Sequence, residues 1–167
     1  KAERVYASLG CPMPEMVIGD MTDNTAVGRA VDGCDAVVHS AAMVTMDPSR
    51  RNRMLWENFR GTDTVLKQAC YNDVRSIVYV SSIAALFDRG SGIIRPNPPL
   101  AESRKPYARS KIESERIARF LMREGYPVSI TYPATVIGPD DPGLSDEGAV
   151  QEDGRAGRLR ITTGVHS

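Results

Sequence analysis

Apolar and polar positions change period several times along the chain, and each change marks an element. Residues 1–9 are compatible with a helix that Gly10 would cap. Met16, Val17 and Ile18 form a short apolar run, stopped by Gly19-Asp20, that reads as a strand. Residues 25–31 suit a short helix, followed by a turn at Asp32-Gly33. Residues 35–39 read as a buried strand ending in His39. Over residues 54–71 apolar side chains recur at helical spacing through Leu55, Val65, Leu66 and Ala69. Residues 76–80, dominated by β-branched and aromatic side chains, form the clearest strand. Residues 84–105 are rich in glycine, proline and charge and read as loop. A strong helix is predicted over 107–123, with a stripe of Ile112, Ile117, Phe120 and Leu121 and an end at Gly125. A last strand spans 128–132 and is closed by Pro133.

Helices alternating with short, fully apolar strands predict a parallel sheet covered on both faces, a doubly wound α/β fold. From Pro139 onward an acidic, glycine-rich stretch reads as a mobile loop, with one strand candidate at 159–162. The 167 residues suffice for one core, and 41% hydrophobic with 25% charged residues is an ordinary globular composition. Basic and acidic side chains balance at 21 each, so the chain lacks the basic excess of a nucleic-acid binder. The run Arg50-Arg51-Asn52-Arg53 has no interleaved aromatics and reads as a solvated loop or helix start. Cys11, Cys34 and Cys70 are scattered, and with His39 and His166 they match no ligand spacing, so no metal is expected. Reduced thiols of this kind suit a cytoplasmic protein. No apolar run reaches the length of a membrane span.

The chemistry concentrates at Tyr107-Ala-Arg-Ser-Lys111, whose first and last members share a helix face. A phenol titrates near 10 in water, and an ammonium held beside it favours the phenolate. Such a pair can pass a proton to or from a carbonyl or alcohol oxygen. A helix with one buried tyrosine and one solvated lysine would show the same letters. Ser81-Ser82 adds weight, because it closes the strand at 76–80 and ligands of open α/β sheets bind beyond the carboxyl ends of strands.

Strand, Ser-Ser, loop and Tyr-x-x-x-Lys at a helix start together resemble the extended short-chain dehydrogenase/reductases. This is the epimerase/dehydratase superfamily, which includes nucleotide-sugar epimerases, dihydroflavonol reductases and 3β-hydroxysteroid dehydrogenases. Twenty-five positions separate Ser82 from Tyr107, which suits that branch. Other landmarks follow in order: Gly19-Asp20-Met21-Thr22-Asp23; Val38-His39-Ser40-Ala41-Ala42; Asn58-Phe59-Arg60-Gly61-Thr62. The signature continues through Ser110 to Glu115, and Tyr132-Pro133-Ala134-Thr135-Val136-Ile137-Gly138-Pro139 resembles the segment that lines the nicotinamide. The resemblance implies a Rossmann-like domain binding NAD or NADP. Ser82, Tyr107, Lys111 and Asn58 would be its catalytic residues, and Asp20, Met21, Ser40, Ala41, Ala42, Pro133 and Val136, with Tyr107 and Lys111, would meet the cofactor. Tyr107 would be the acid/base, with Lys111 lowering its pKa and bonding the ribose, Ser82 holding the substrate oxygen, and Asn58 positioning a water or backbone group.

The chain also departs from that pattern. Gly10, Gly19, Gly28 and Gly33 do not form the glycine-rich phosphate loop, and Tyr132 stands where arginine is usual. The resemblance therefore implies a partial dinucleotide-binding domain over 1–138, lacking its first two strands, and the start of a substrate lobe over 139–167. Without those strands the run at 16–18 would have no neighbours, and such a piece is not expected to be stable alone. Residues 81–87, Ser-Ser-Ile-Ala-Ala-Leu-Phe, carry neither the Asp-Glu pair of dehydratases nor the Val-Tyr-Gly of epimerases. Their apolar course points to a fairly apolar alcohol or ketone substrate, close to the dihydroflavonol reductase and hydroxysteroid dehydrogenase group. The loop at 88–99 is expected to border it. A nucleotide-sugar epimerase and a non-catalytic cofactor-sensing protein are the alternatives. The resemblance leaves NAD and NADP open, since Lys1 and Arg4 read equally as neighbours of a 2′-phosphate or as exposed helix charges, and the family often dimerises through the helices near 54–71 and 107–123.

Overall fold

The computed structural model describes residues 6–45, 47–87, 94 and 97–134. The chain divides into two compact units, Lys1–Tyr132 and Pro133–Ser167, and every element below belongs to the first. In chain order these are α1 (Asn24–Val31), β1 (Ala36–His39), α2 (Arg51–Tyr71), β2 (Ser76–Val80), α3 (Pro106–Arg123) and β3 (Val128–Thr131). Single 3₁₀ turns, Pro48–Arg50 and Ile83–Ala85, precede α2 and follow β2. The domain boundary expected at 138/139, the strand expected at 159–162, Lys1, Arg4, Val136 and most of the 88–99 loop lie outside the described residues.

The helix ends follow from local chemistry. The Asp23 carboxylate accepts from Thr25 N at 2.8 Å and caps α1, satisfying a donor the first turn cannot pair itself. Pro106 opens α3, where its fixed φ suits the first turn and its missing N–H costs nothing. Gly125, at φ +87°, ends it in a conformation that favours glycine. Gly10 closes the helical turn at residues 6–8 in the same way, at φ +65°. The basic run at 50–53 starts α2, where Arg53 pairs with Glu57 one turn on.

The three strands are parallel in the order β1-β2-β3, each connected to the next through a crossover helix. The register places His39, Tyr79 and Ile130 in one row across the sheet and Val37, Ile77 and Val128 in the next. Both rows face α2 and α3. With Leu66, Ala69, Cys70, Val74, Ala118 and Leu121, the members of these rows other than His39 form the core. Ile77, Leu66, Ala69 and Ala118 are wholly buried, and each large aliphatic side chain there contributes about 1.5–3 kcal/mol.

Two expectations change. The run at 16–18 is not a strand: Met16, Val17 and Ile18 are exposed, and no described segment pairs with them. A strand exists by its ladder, and apolar residues without a partner strand remain extended coil. Phe120 is 49% exposed rather than part of the buried stripe of α3. The turn of the helix assigns that face to Ser114, Glu115 and Ala118 instead, so α3 buries a carboxylate where its apolar pattern suggested a ring.

Candidate functional site at the carboxyl end of the sheet

All three strands end on the same side, because they are parallel, and the chemistry-bearing residues gather beyond those ends. Ser40, Ala41 and Ala42 follow β1, Ser81 and Ser82 follow β2, and Tyr132 follows β3. The first turn of α3 brings Tyr107, and its second Lys111. Ser81 N donates to Thr131 O at 2.9 Å, which carries the β2–β3 ladder one residue past β2. Ser82 then turns the chain: its hydroxyl accepts from Ala84 N at 3.2 Å and caps the 3₁₀ turn, which packs against α3.

Lys111 is 5% exposed. Its ammonium donates to Val80 O at 3.1 Å and stands 5.6 Å from the centre of the Tyr79 ring, on whose other neighbour, His39, it also acts. Burial pulls the Lys111 amine below its usual range, partly opposed by the Glu115 carboxylate one turn along α3. His39 stacks on Tyr79 with ring centres 5.9 Å apart and shares a 3.2 Å hydrogen bond with Thr62 Oγ1. Burial first, and then the charge of Lys111, lower its pKa to about 4, so it is neutral at physiological pH. Burial likewise pushes the Tyr79 phenol up, beyond what the neighbouring Ser114 and Thr62 hydroxyls offset.

Asn58 makes three bonds that explain its burial. Its Oδ1 accepts from Met43 N at 2.7 Å, and its Nδ2 donates to Met43 O at 2.9 Å and to Ser110 Oγ at 3.2 Å. Ser110 in turn donates to Tyr107 O at 2.8 Å. One amide thus ties the segment after β1 to the first turn of α3. Gly61, one turn from Asn58, lies against Met21; a Cβ there would come within 2.7 Å of the Met21 Cγ and Sδ atoms. Asp20 sits apart on the exposed loop before α1. Its carboxylate accepts from Thr22 N and Thr22 Oγ1, both at 2.8 Å, and these bonds lower its pKa. Tyr107 is half-buried, Ser40 and Ala41 are exposed, and Ala42 is half-buried. Pro133, also half-buried, belongs to the second unit.

Glu115 falls inside the signature that begins at Tyr107, but the sequence alone assigns it no role. It is wholly buried on α3. Its Oε2 accepts from Ser81 Oγ at 2.5 Å, while Oε1 accepts from Tyr132 OH at 2.7 Å and from Arg119 at 2.8 Å. The visible signal was a glutamate four residues after Lys111 on the buried face of an amphipathic helix. His39 and Thr62 stand in the sequence landmarks without a role and Tyr79 has none there, because only the sheet register and helix packing bring His39 and Tyr79 to Lys111 and Thr62 to His39.

Residues 1–152 match the family described as NAD dependent epimerase/dehydratase. Among curated proteins the chain is similar to sterol demethylase protein B of Methylococcus capsulatus (strain ATCC 33009 / NCIMB 11132 / Bath), 28% identical over 87% of this chain and 45% of that protein. It is also similar to a putative dihydroflavonol 4-reductase of Synechocystis sp. (strain ATCC 27184 / PCC 6803 / Kazusa), 28% identical over 76% of this chain and 38% of that protein. Among solved structures it resembles a double mutant of the dTDP-glucose 4,6-dehydratase DesIV from Streptomyces venezuelae, solved with NAD and DAU bound. The TM-score is 0.68 at 32% identity, covering 83% of this chain and 44% of that one. The chain therefore spans less than half the length of each of these three proteins. The matches agree with the family and the Rossmann-like fold that the ordered motifs resemble. Among the described residues, no helix is long and apolar enough to cross a membrane.

Proposed function

The chain belongs to the NAD dependent epimerase/dehydratase family, and from that membership we propose that it works in an oxidoreductase interconverting a secondary alcohol and a ketone, with Tyr107 as acid/base. The observation that carries this reading is Lys111. An ammonium buried to 5% exposure beside the end of β2, on the helix face of Tyr107, has no structural need that an apolar side chain would not meet better.

Lys111 also fits a nicotinamide dinucleotide. Among the described residues its ammonium has one hydrogen bond, to Val80 O, so two donors are left for ribose hydroxyls. Asp20, Met21, Ser40, Ala41, Ala42, Pro133 and Val136 complete the proposed cofactor set, with NAD and NADP both accommodated by this reading. NAD(P), when bound, supplies or takes up the hydride. Tyr107 Oη holds the proton that the substrate oxygen gains or gives up, Lys111 stands one turn along the same helix face, and Ser82 Oγ bonds the same oxygen. Asn58 acts through the Met43 backbone and Ser110, keeping the first turn of α3 at a set distance from β1.

The apolar run Ile83 to Phe87, with Phe87 exposed, supports a fairly apolar substrate. So do relatives named for sterol and dihydroflavonol chemistry. Free Cys11, Cys34 and Cys70 support a reducing, cytoplasmic setting. Exposed Trp56 and Phe59 on the outward face of α2 support a homodimer.

The test is turnover by the full-length protein with NAD(P)H and a panel of hydroxysteroids, flavanonols and aliphatic ketones, read as reduced-cofactor absorbance. Tyr107→Phe should remove most turnover, by roughly 10²–10⁴-fold, with cofactor affinity nearly intact. Wild-type rates in that variant would overturn the assignment. Product formation without net change in reduced cofactor would mark a sugar epimerase instead.

A further inference from the structure

The buried cluster around Glu115 is not accounted for by proton transfer at Tyr107. A fully buried carboxylate must be paired, and Glu115 is paired in a way that reaches three separate segments. Through Ser81 it grips the end of β2 immediately before Ser82. Through Tyr132 it grips the end of β3. Through Arg119, whose Nη1 donates to Pro98 O at 2.8 Å, it reaches the segment that leads into α3. That segment is bonded back to the 3₁₀ turn after Ser82, Ala101 N donating to Ala85 O at 2.8 Å. The loop is closed: Ser82, the 97–101 segment and the start of α3 are referred to one side chain.

We propose that Glu115 is a positioning residue of this site: its carboxylate, with Arg119 as counter-ion, sets Ser82 and Tyr107 on one substrate oxygen and keeps Lys111 an ammonium. This rests on the oxidoreductase reading. The charge half follows from place. Lys111 is faced by His39 from β1, Tyr79 from β2, and Glu115 one turn along α3. Of these, His39 is neutral and Tyr79 is an un-ionised phenol, so Glu115 is the anion that offsets the cost of burying the ammonium. Tyr132 fits the same scheme. Burial, and then the Glu115 carboxylate, push its phenol up, so it stays a donor to Glu115.

Glu115→Gln keeps an acceptor oxygen for Ser81 and removes the charge. In full-length protein carrying ¹³C-labelled lysine, the Lys111 signal is identified by its loss in Lys111→Arg, and its titration midpoint is followed beside kcat. The midpoint should fall in Glu115→Gln and recover in part in Glu115→Asp, and kcat should fall on the order of 10–100-fold, as for a group that orients a reacting residue. A wild-type midpoint, or a wild-type kcat, in Glu115→Gln overturns the proposal. Tyr107→Phe in the same assay separates the two readings: unchanged turnover there sinks the oxidoreductase assignment, while the Lys111 midpoint still judges Glu115. Should Glu115→Gln fail to fold, Ser81→Ala takes its place, and it must lower kcat while leaving the Lys111 midpoint unmoved. Unchanged kcat in that variant overturns the positioning role.

Discussion

Neutral His39 makes the fold sensitive to acid in a way that can be calculated. Its side chain is 4% exposed, stacked on Tyr79 and lowered in pKa from 6.5 to about 4. In the unfolded chain the imidazole takes up a proton below about 6.5; in the folded chain it does so only near 4. Between those values the unfolded state holds more protons, so stability rises with pH and is lost as pH falls through the window. At about 1.4 kcal/mol per pH unit the full loss is roughly 3 kcal/mol by pH 4, and roughly 2 kcal/mol has gone by pH 5. His39→Gln keeps a polar partner for Thr62 and does not titrate. Urea unfolding of wild type and variant at pH 7.5, 6 and 5 gives a difference from which shared carboxylate titrations cancel. Wild type minus variant should drop by about 2 kcal/mol between pH 7.5 and 5. A difference constant to within about 0.5 kcal/mol would show that His39 is not held neutral and would refute the account of its burial.

Asn58→Ala strips partners from both backbone groups of Met43 and from Ser110; at about 0.5–1.5 kcal/mol per bond, urea unfolding should show a loss of roughly 2–4 kcal/mol. A loss under about 0.5 kcal/mol would mean the Met43 segment is not anchored by that amide. Gly61→Ala should gain about 1 kcal/mol from helix propensity alone, yet its Cβ would overlap Met21, so a net loss of about 1–2 kcal/mol is expected in thermal unfolding. Met21→Ala in the same chain should restore the gain, and a Gly61→Ala that stabilises without it would contradict the observed packing.

Residues whose meaning is local were legible in the sequence. The strand at 76–80 and the helices near 54–71 and 107–123 carry their own periodicity, and the observed elements match them within a few residues at their ends. Turn chemistry was equally readable at Gly10, Asp32-Gly33 and Gly125. The apolar run at 16–18 was misread because composition reports a strand's suitability, whereas a strand requires a partner. Phe120 was misplaced for a related reason, since an apolar letter near a stripe does not say which way the helix turns against the sheet.

The sequence by itself determined the alternation of helix and strand, the order of motifs, and the pairing of Tyr107 with Lys111 on one helix face. These depend on spacings of a few residues, which backbone geometry converts directly into faces and ends. Only the tertiary structure decided what lies around that pair: His39 and Thr62, Tyr79 beneath Lys111, Asn58 clasping Met43, and Glu115 joining Ser81, Tyr132 and Arg119. Those contacts bridge 15 to 52 positions for Asn58 and 34 for Ser81 with Glu115. They exist because parallel strands bring their carboxyl ends to one edge and the crossover helices fold back over them, and no local pattern encodes that proximity.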